Sequence, residues 1–374
     1  MTVTLDAELW AAAVDGDRAA LERCLEVDVD GKIARSQRLA SALALEATAA
    51  DLDGPALAPW RARLRQVAAH SMVLEQALES TGRVLGEAEV SWAPLKGLDL
   101  ASRIYPRAEQ RPTSDVDLLV ASGDLDRAQA ALLAAGWKPL SPGRRVERYL
   151  REEGYAWQAR APGGVLVELH YRLWGSVAPE AGDAMMDAAG LEVEPSQDSL
   201  GPAARRLRLA DAYVLAAHHL WLDEPPRRLG AVRDLTMISR AMSSSAPATE
   251  NFASEVERSA TRLDLHLPVT LGARWSAELW RESVCREIVE RLTARLAWSE
   301  SRWLRAQSTP STASYTRMTL ARHLAGRRTR HGLARLAWRR LWAHPGIVEA
   351  AYGDESHPFW RRRLEYQLRS WGLR

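Results

Sequence analysis

The chain has 374 residues, of which 47% are apolar, and a formal net charge of +2. That is enough apolar material for two or three packed domains and too much for a disordered chain. Two cysteines, Cys24 and Cys285, stand without metal-ligand spacing, which excludes a disulfide framework and a zinc site. The N-terminus has scattered acids instead of an apolar run, and no stretch reaches the ~18 consecutive apolar residues of a membrane span; a cytoplasmic protein with no membrane partner is expected.

Basic charge is carried almost wholly by arginine, and only Lys32, Lys96 and Lys138 are lysines. A lysine that survives such a bias is worth placing on the fold.

Residues 5 to about 86 carry apolar residues at helical spacing, clearest in "WRARLRQVAAHSMVLEQALESTGRVL", with Asp17, Ser36 and Pro59 as breaks or starts. The period then changes. "EVSWAPLKG" (89–97) predicts a short strand closed by glycine, "LDLASRIY" a helix, "DVDLLVA" a strand, and "GDLDRAQAALLAAGW" a helix opened by Asp124 and stopped by Gly136. "GYAWQARAPGGVLVELHYRLW" predicts a hairpin about "PGG". From about 202 onward the pattern is helical again, broken by a linker at "MSSSAPATENF" (242–252).

The order predicts an α+β chain: a small mixed sheet flanked by helices, with a helical N-terminal region (1–88), a sheet-bearing core (89–175) and a helical C-terminal domain (176–374). From 300 on there are 15 Arg against 5 Asp and Glu, interleaved with Trp303, Trp338, Trp342, Trp360 and Trp371. Arginine with aromatics can grip nucleic acid or an acidic partner. At helical spacing, tryptophan in a core behind a solvated arginine face is the commoner arrangement.

Chemistry concentrates in "RPTSDVDLLV" (111–120). Alternate residues of a strand share a face, so Asp115 and Asp117 are aimed together. Two bare carboxylates repel unless a divalent cation sits between them, although two solvated acids opening a strand would have the same sequence. In "VLVELHY", Glu168 and His170 share one face of the next strand. A helix starting after Gly97 offers free N–H groups to a phosphate, and glycine allows close approach.

Lys96-Gly97, Arg111-Pro-Thr-Ser-Asp115-Val-Asp117 and Glu168-Leu-His170, in this order, resemble the polymerase-β-like nucleotidyltransferase superfamily. Over roughly residues 70 to 240 they look more closely like its family of uncharacterised nucleotidyltransferases. The resemblance implies transfer of an NMP from an NTP, with Mg²⁺, or alternatively Mn²⁺, as cofactor.

Asp115 and Asp117 would hold the metals, and Glu168 would be a further ligand or the base for the acceptor. Lys96, Gly97, Arg111 and Ser114 would bind the nucleotide. Most superfamily members carry Gly-Ser or Gly-Gly where this chain has Lys96-Gly97; Lys96 either replaces that contact or pairs with Asp99 or Asp115.

On the acceptor side the candidates are His170, His219 and Asp234. Each has a structural alternative, a histidine satisfied within the fold or an aspartate paired with arginine. The acceptor expected is a small molecule or biosynthetic peptide, with RNA as the alternative partner through the Arg/Trp-rich end. A catalytically degenerate binding protein and a sugar transferase using the Asp-x-Asp are the competing functions.

Overall fold

The computed structural model describes residues 6–28, 30–140, 156–171, 193–196, 200–222, 229–244, 249–296 and 298–306. Helices α1 (Ala7–Val14) and α2 (Arg18–Val27) each begin on an aspartate. Asp6 accepts from the Leu9 N–H at 3.1 Å and Asp17 from the Ala20 N–H at 2.9 Å, satisfying amides that a helix start leaves orphaned. Helix α3 (Lys32–Ser36) ends at Ser36 and α4 (Ala40–Ala49) follows. Pro59 lies in the first turn of α5 (Ala58–Glu87), where a missing N–H costs nothing. The three expected breakpoints are therefore real boundaries.

The sheet has five strands, β1 (Trp92–Pro94), β2 (Val116–Val120), β3 (Lys138–Pro139), β4 (Ala156–Arg160) and β5 (Leu166–His170), in the order β1-β2-β5-β4-β3. It is mixed: β2 and β5 run parallel and the other pairs antiparallel. Helix α6 (Gly97–Ile104) connects β1 toward β2, and α7 (Leu125–Ala134) follows β2 and ends two residues before Gly136. The expected hairpin is β4–β5.

Alternation divides the sheet. Val116, Leu118, Val120, Trp157, Ala159, Val167 and Leu169 form one core with Leu74, Ala77, Leu78 and Leu85 of α5 and with α7. The opposite face carries Asp117, Leu119, Gln158, Glu168 and His170, and Leu119 joins the second core. That second core unites residues of α1, α2 and α4 with Tyr213, Leu235, Val269 and Ile288 from the C-terminal helices. The N-terminal helices and the helices after the sheet thus bury one another.

Two stretches fold otherwise than their patterns suggest. Arg205–Leu207, in the range expected to be helical from about 202, is a strand, β7, paired with β6 (Val193–Pro195). An additional bridge from Ala204 to Trp92 attaches it beside β1, and pairing with a sheet overrides the local helical pattern. The linker is shorter than expected. Helix α9 (Leu229–Ser243) runs into its start, α10 (Thr249–Arg262) includes its last four residues, and 245–248 lie outside the described residues. Phe252, counted in the linker, is fully buried in the helical core, and burying that ring outweighs the polar Ser/Thr/Asn context around it.

Helices α8 (Leu209–Leu222), α11 (His266–Trp280), α12 (Ser283–Thr293) and α13 (Trp298–Ala306) complete the described fold. Trp303 falls within α13, while Trp338, Trp342, Trp360 and Trp371 lie outside the described residues. No helix among the described residues is long and apolar enough to cross a membrane.

Helix α5 meets the sheet at Gly82, where an added Cβ would lie 2.3 Å from Cζ2 of the fully buried Trp92. Helix propensity favours Gly82→Ala by about 1 kcal/mol. Overpacking a rigid indole opposes it by about 1–3 kcal/mol. A net loss of stability is expected for Gly82→Ala, read as a lower urea midpoint; a raised midpoint would show that α5 yields there.

Candidate active site

The parallel β2–β5 pairing brings the acids together. Asp117 stands directly beside Glu168 in register, and Leu119 beside His170. His170 Nε2 lies 2.8 Å from Asp117 Oδ1 and 3.5 Å from Glu168 Oε2. From the other side, β4 places Gln158 opposite Glu168, and the Gln158 amide donates to Glu168 Oε1 at 2.5 Å. Both oxygens of Glu168 are therefore engaged.

Asp115 occupies the position just before β2, half-buried, with the Ser114 hydroxyl donating to it at 3.2 Å. Burial raises its carboxyl pKa, and the neighbouring charges of Asp117 and Glu168 raise it further. Asp117 goes the opposite way. Burial penalises its carboxylate, but Lys96, the hydrogen bond and charge of His170, and the charge of His219 outweigh burial and hold the carboxyl far below its ordinary range. For His170, burial disfavours the cation, and its bonds to Asp117 and Glu168 overcome that and raise its pKa.

One oxygen each from Asp117 and Glu168 and one nitrogen of His170 all lie within 4.8 Å of one another, a group that could hold a metal ion. The residues suit a divalent cation on two counts. Their donor atoms already lie close together, and the mutual repulsion of the carboxylates, visible at Asp115, is what such an ion relieves. Asp115 is not in the convergent group; it stands in front of it. Ligation by His170 requires the ring nitrogen to give up the proton it shares with Asp117.

Lys96 precedes α6 with φ 47° and ψ −110°, a sparsely populated conformation for a residue with a side chain. Its charge reaches Asp115, Asp117 and His170. Asp99, the other partner considered for it, pairs instead with Arg103 at 3.1 Å and Arg206 at 3.7 Å. At Gly97 a Cβ would lie 2.6 Å from Cγ2 of Thr113, so the Lys-Gly turn and the Arg-Pro-Thr-Ser segment pack with no room for a side chain.

Arg111 is not directed at open space. Its Nε and Nη2 each donate to Asp234 at 2.8 Å, and Nη1 donates to the Gly97 carbonyl at 3.0 Å and to Thr113 Oγ1 at 3.1 Å. Asp234, considered for the acceptor side, is buried on α9 and also accepts from the Tyr105 hydroxyl at 2.7 Å. It is an arginine partner inside the protein.

Helix α8 carries His218 and His219, and the charge of His219 reaches Asp117. Burial, with the positive charges of His219 and Lys96, pushes His218 down to about 3, so its ring is neutral at physiological pH.

Three residues that this geometry uses escaped the sequence reading: Gln158, Tyr105 and Thr113. Gln158 had a signal, because counting outward from the "PGG" turn pairs it with Glu168. Tyr105 had none.

A small mixed sheet with neighbouring acids on one face, behind a glycine turn that opens a helix, defines a nucleotidyltransferase-type fold. The chain belongs to a family of transferases described as "Uncharacterised nucleotidyltransferase", whose model matches residues 31–281. That span runs from the start of α3 to the end of α11, wider than the 70–240 of the motifs, as expected where the flanking helices share a core. No curated protein matches the chain.

Proposed function

We propose that this protein transfers an NMP from an NTP to a hydroxyl or phosphate acceptor, with Mg²⁺ or Mn²⁺ bound at the acidic face. The observation that carries the reading is the in-register pairing of Asp117 with Glu168, with Asp115 in front of them and Lys96 adjacent. A divalent ion held by Asp117, Glu168 and His170 would neutralise triphosphate charge and lower the pKa of an attacking hydroxyl.

In the reaction the acceptor oxygen, a hydroxyl acceptor giving up its proton to water, attacks the α-phosphorus, the bond to the bridging oxygen breaks, and pyrophosphate leaves. The chain's own part is placement. Gln158 and His170 tie down Glu168, which favours a ligand role over that of a base that must reach an acceptor. Lys96 offers a cation, and the first N–H groups of α6 offer donors, to the phosphate tail. The acceptor is a small molecule or a biosynthetic peptide.

Calorimetric titration of each NTP, with Mg²⁺ and with EDTA, tests this on the wild type and on an Asp115→Ala, Asp117→Ala double variant. Binding is expected for at least one NTP, only with metal, and only by the wild type. A folded wild type that binds none, or a double variant that binds equally well, would overturn the reading.

A further inference from the structure

Lys96 has a strained backbone at the turn into α6. It keeps φ 47°, a backbone state that persists only where the surroundings over-determine it; its own carbonyl accepts from the Leu100 N–H at 2.8 Å as α6 begins, and further contacts act from outside the turn. The surroundings here are a chain of contacts. Arg111 grips the carbonyl of Gly97, the residue after Lys96, and Thr113 closes on the Gly97 Cα. Arg111 is itself fixed by two bonds to Asp234, and Asp234 by the Tyr105 hydroxyl. Behind Tyr105, the guanidinium carbon of Arg233 lies 5.3 Å from the ring centroid.

We propose that Tyr105 and Asp234 are positioning residues of the nucleotide site: through Arg111 they hold the Lys96-Gly97 turn so that the Lys96 ammonium faces the acids of β2 and β5. Asp234 sits on α9 and Arg111 just before β2, 123 residues apart. The helices after the sheet thereby set the geometry of the phosphate-binding turn. This rests on reading the acidic face as the nucleotide site.

The test exploits the presence of only three lysines, Lys32, Lys96 and Lys138. Reductive ¹³C-methylation gives each an NMR signal, and Lys96→Arg assigns the one that matters. In Tyr105→Phe, which keeps the Arg111–Asp234 pair, and in Asp234→Asn, the Lys96 signal is expected to move while those of Lys32 and Lys138 stay.

On unmethylated protein the same variants are expected to bind Mg–NTP about fivefold to tenfold more weakly, the equivalent of one hydrogen bond, with Mn²⁺ affinity unchanged. Cys285→Ala, a disturbance in the helical core, is expected to leave Lys96 in place. An unmoved Lys96 signal in folded Tyr105→Phe and Asp234→Asn would overturn the proposal, as would unchanged NTP affinity in a variant whose Lys96 signal has moved. If the wild type binds no NTP, the proposed function fails, and the Lys96 signal alone still decides whether the clamp exists.

Discussion

Asp117→Ala is expected to weaken Mn²⁺ binding by at least about 10²-fold, since even an outer partner of a metal ligand is worth 10- to 100-fold. Metal-dependent NTP binding should be lost with it. Asp117 combines three features no other acid of the site has together: register with Glu168, a bond from His170, and a carboxyl kept ionised by Lys96, His170 and His219.

Asp117→Asn separates the contributions, because it keeps an oxygen that can accept from His170 and removes only the charge; it should lose nearly as much. Asp115→Ala should lose less Mn²⁺ affinity than Asp117→Ala, because Asp115 stands outside the convergent group. A Mn²⁺ titration settles the ranking. Equal losses at 115 and 117 would place the ion further forward than the Asp117–Glu168–His170 donors, and Asp117→Ala within tenfold of wild type would remove the site altogether.

The second large effect concerns stability. Asp234→Ala is expected to cost about 3–5 kcal/mol, the usual penalty for removing one partner of a buried ion pair. Arg111 and Asp234 are 13% and 10% exposed, so water offers the stranded guanidinium little relief, and the Tyr105 hydroxyl loses its acceptor as well.

Replacing the pair together, Arg111→Met with Asp234→Leu, should recover much of that loss, because no buried charge is then left alone. Urea unfolding of the wild type, both single variants and the double variant measures the cycle. A loss below ~1 kcal/mol for Asp234→Ala would mean that the pair is effectively solvated. A recovered double variant that still binds Mg–NTP poorly would separate the clamp's structural contribution from its placement of Lys96.

The competing reading as a sugar transferase gains no support from the fold. Among the described residues, only helices and a short 3₁₀ turn precede β1, and the acids enter β2 instead of closing a strand.

Much of the site was legible in the one-dimensional pattern because it is governed by short-range rules. Alternation along a strand placed Glu168 with His170; it also put Asp115 with Asp117, but Asp115 precedes β2 and stays outside the group of Asp117, Glu168 and His170. Glycine after Lys96 marked the turn into α6, and "PGG" marked the β4–β5 hairpin, whose register then follows by counting. Asp17, Ser36 and Pro59 marked helix boundaries through capping and proline chemistry that act within a single turn.

What the tertiary structure decided is everything that depends on contacts between segments distant in the chain. Parallel pairing of β2 with β5 leaves no turn signal, yet it alone sets Asp117 beside Glu168. The motif offers Arg111 to a phosphate, and only the packing of α9 shows that Asp234 holds it; an arginine partner for Asp234 was one of two sequence readings, and only the fold shows that the partner is Arg111, 123 residues away. β7 is a strand because β6 and β1 lie alongside it. Local sequence specifies which groups are available and which way they face; only packing decides which charges meet, because burying a charge is tolerated where a partner has been brought to it.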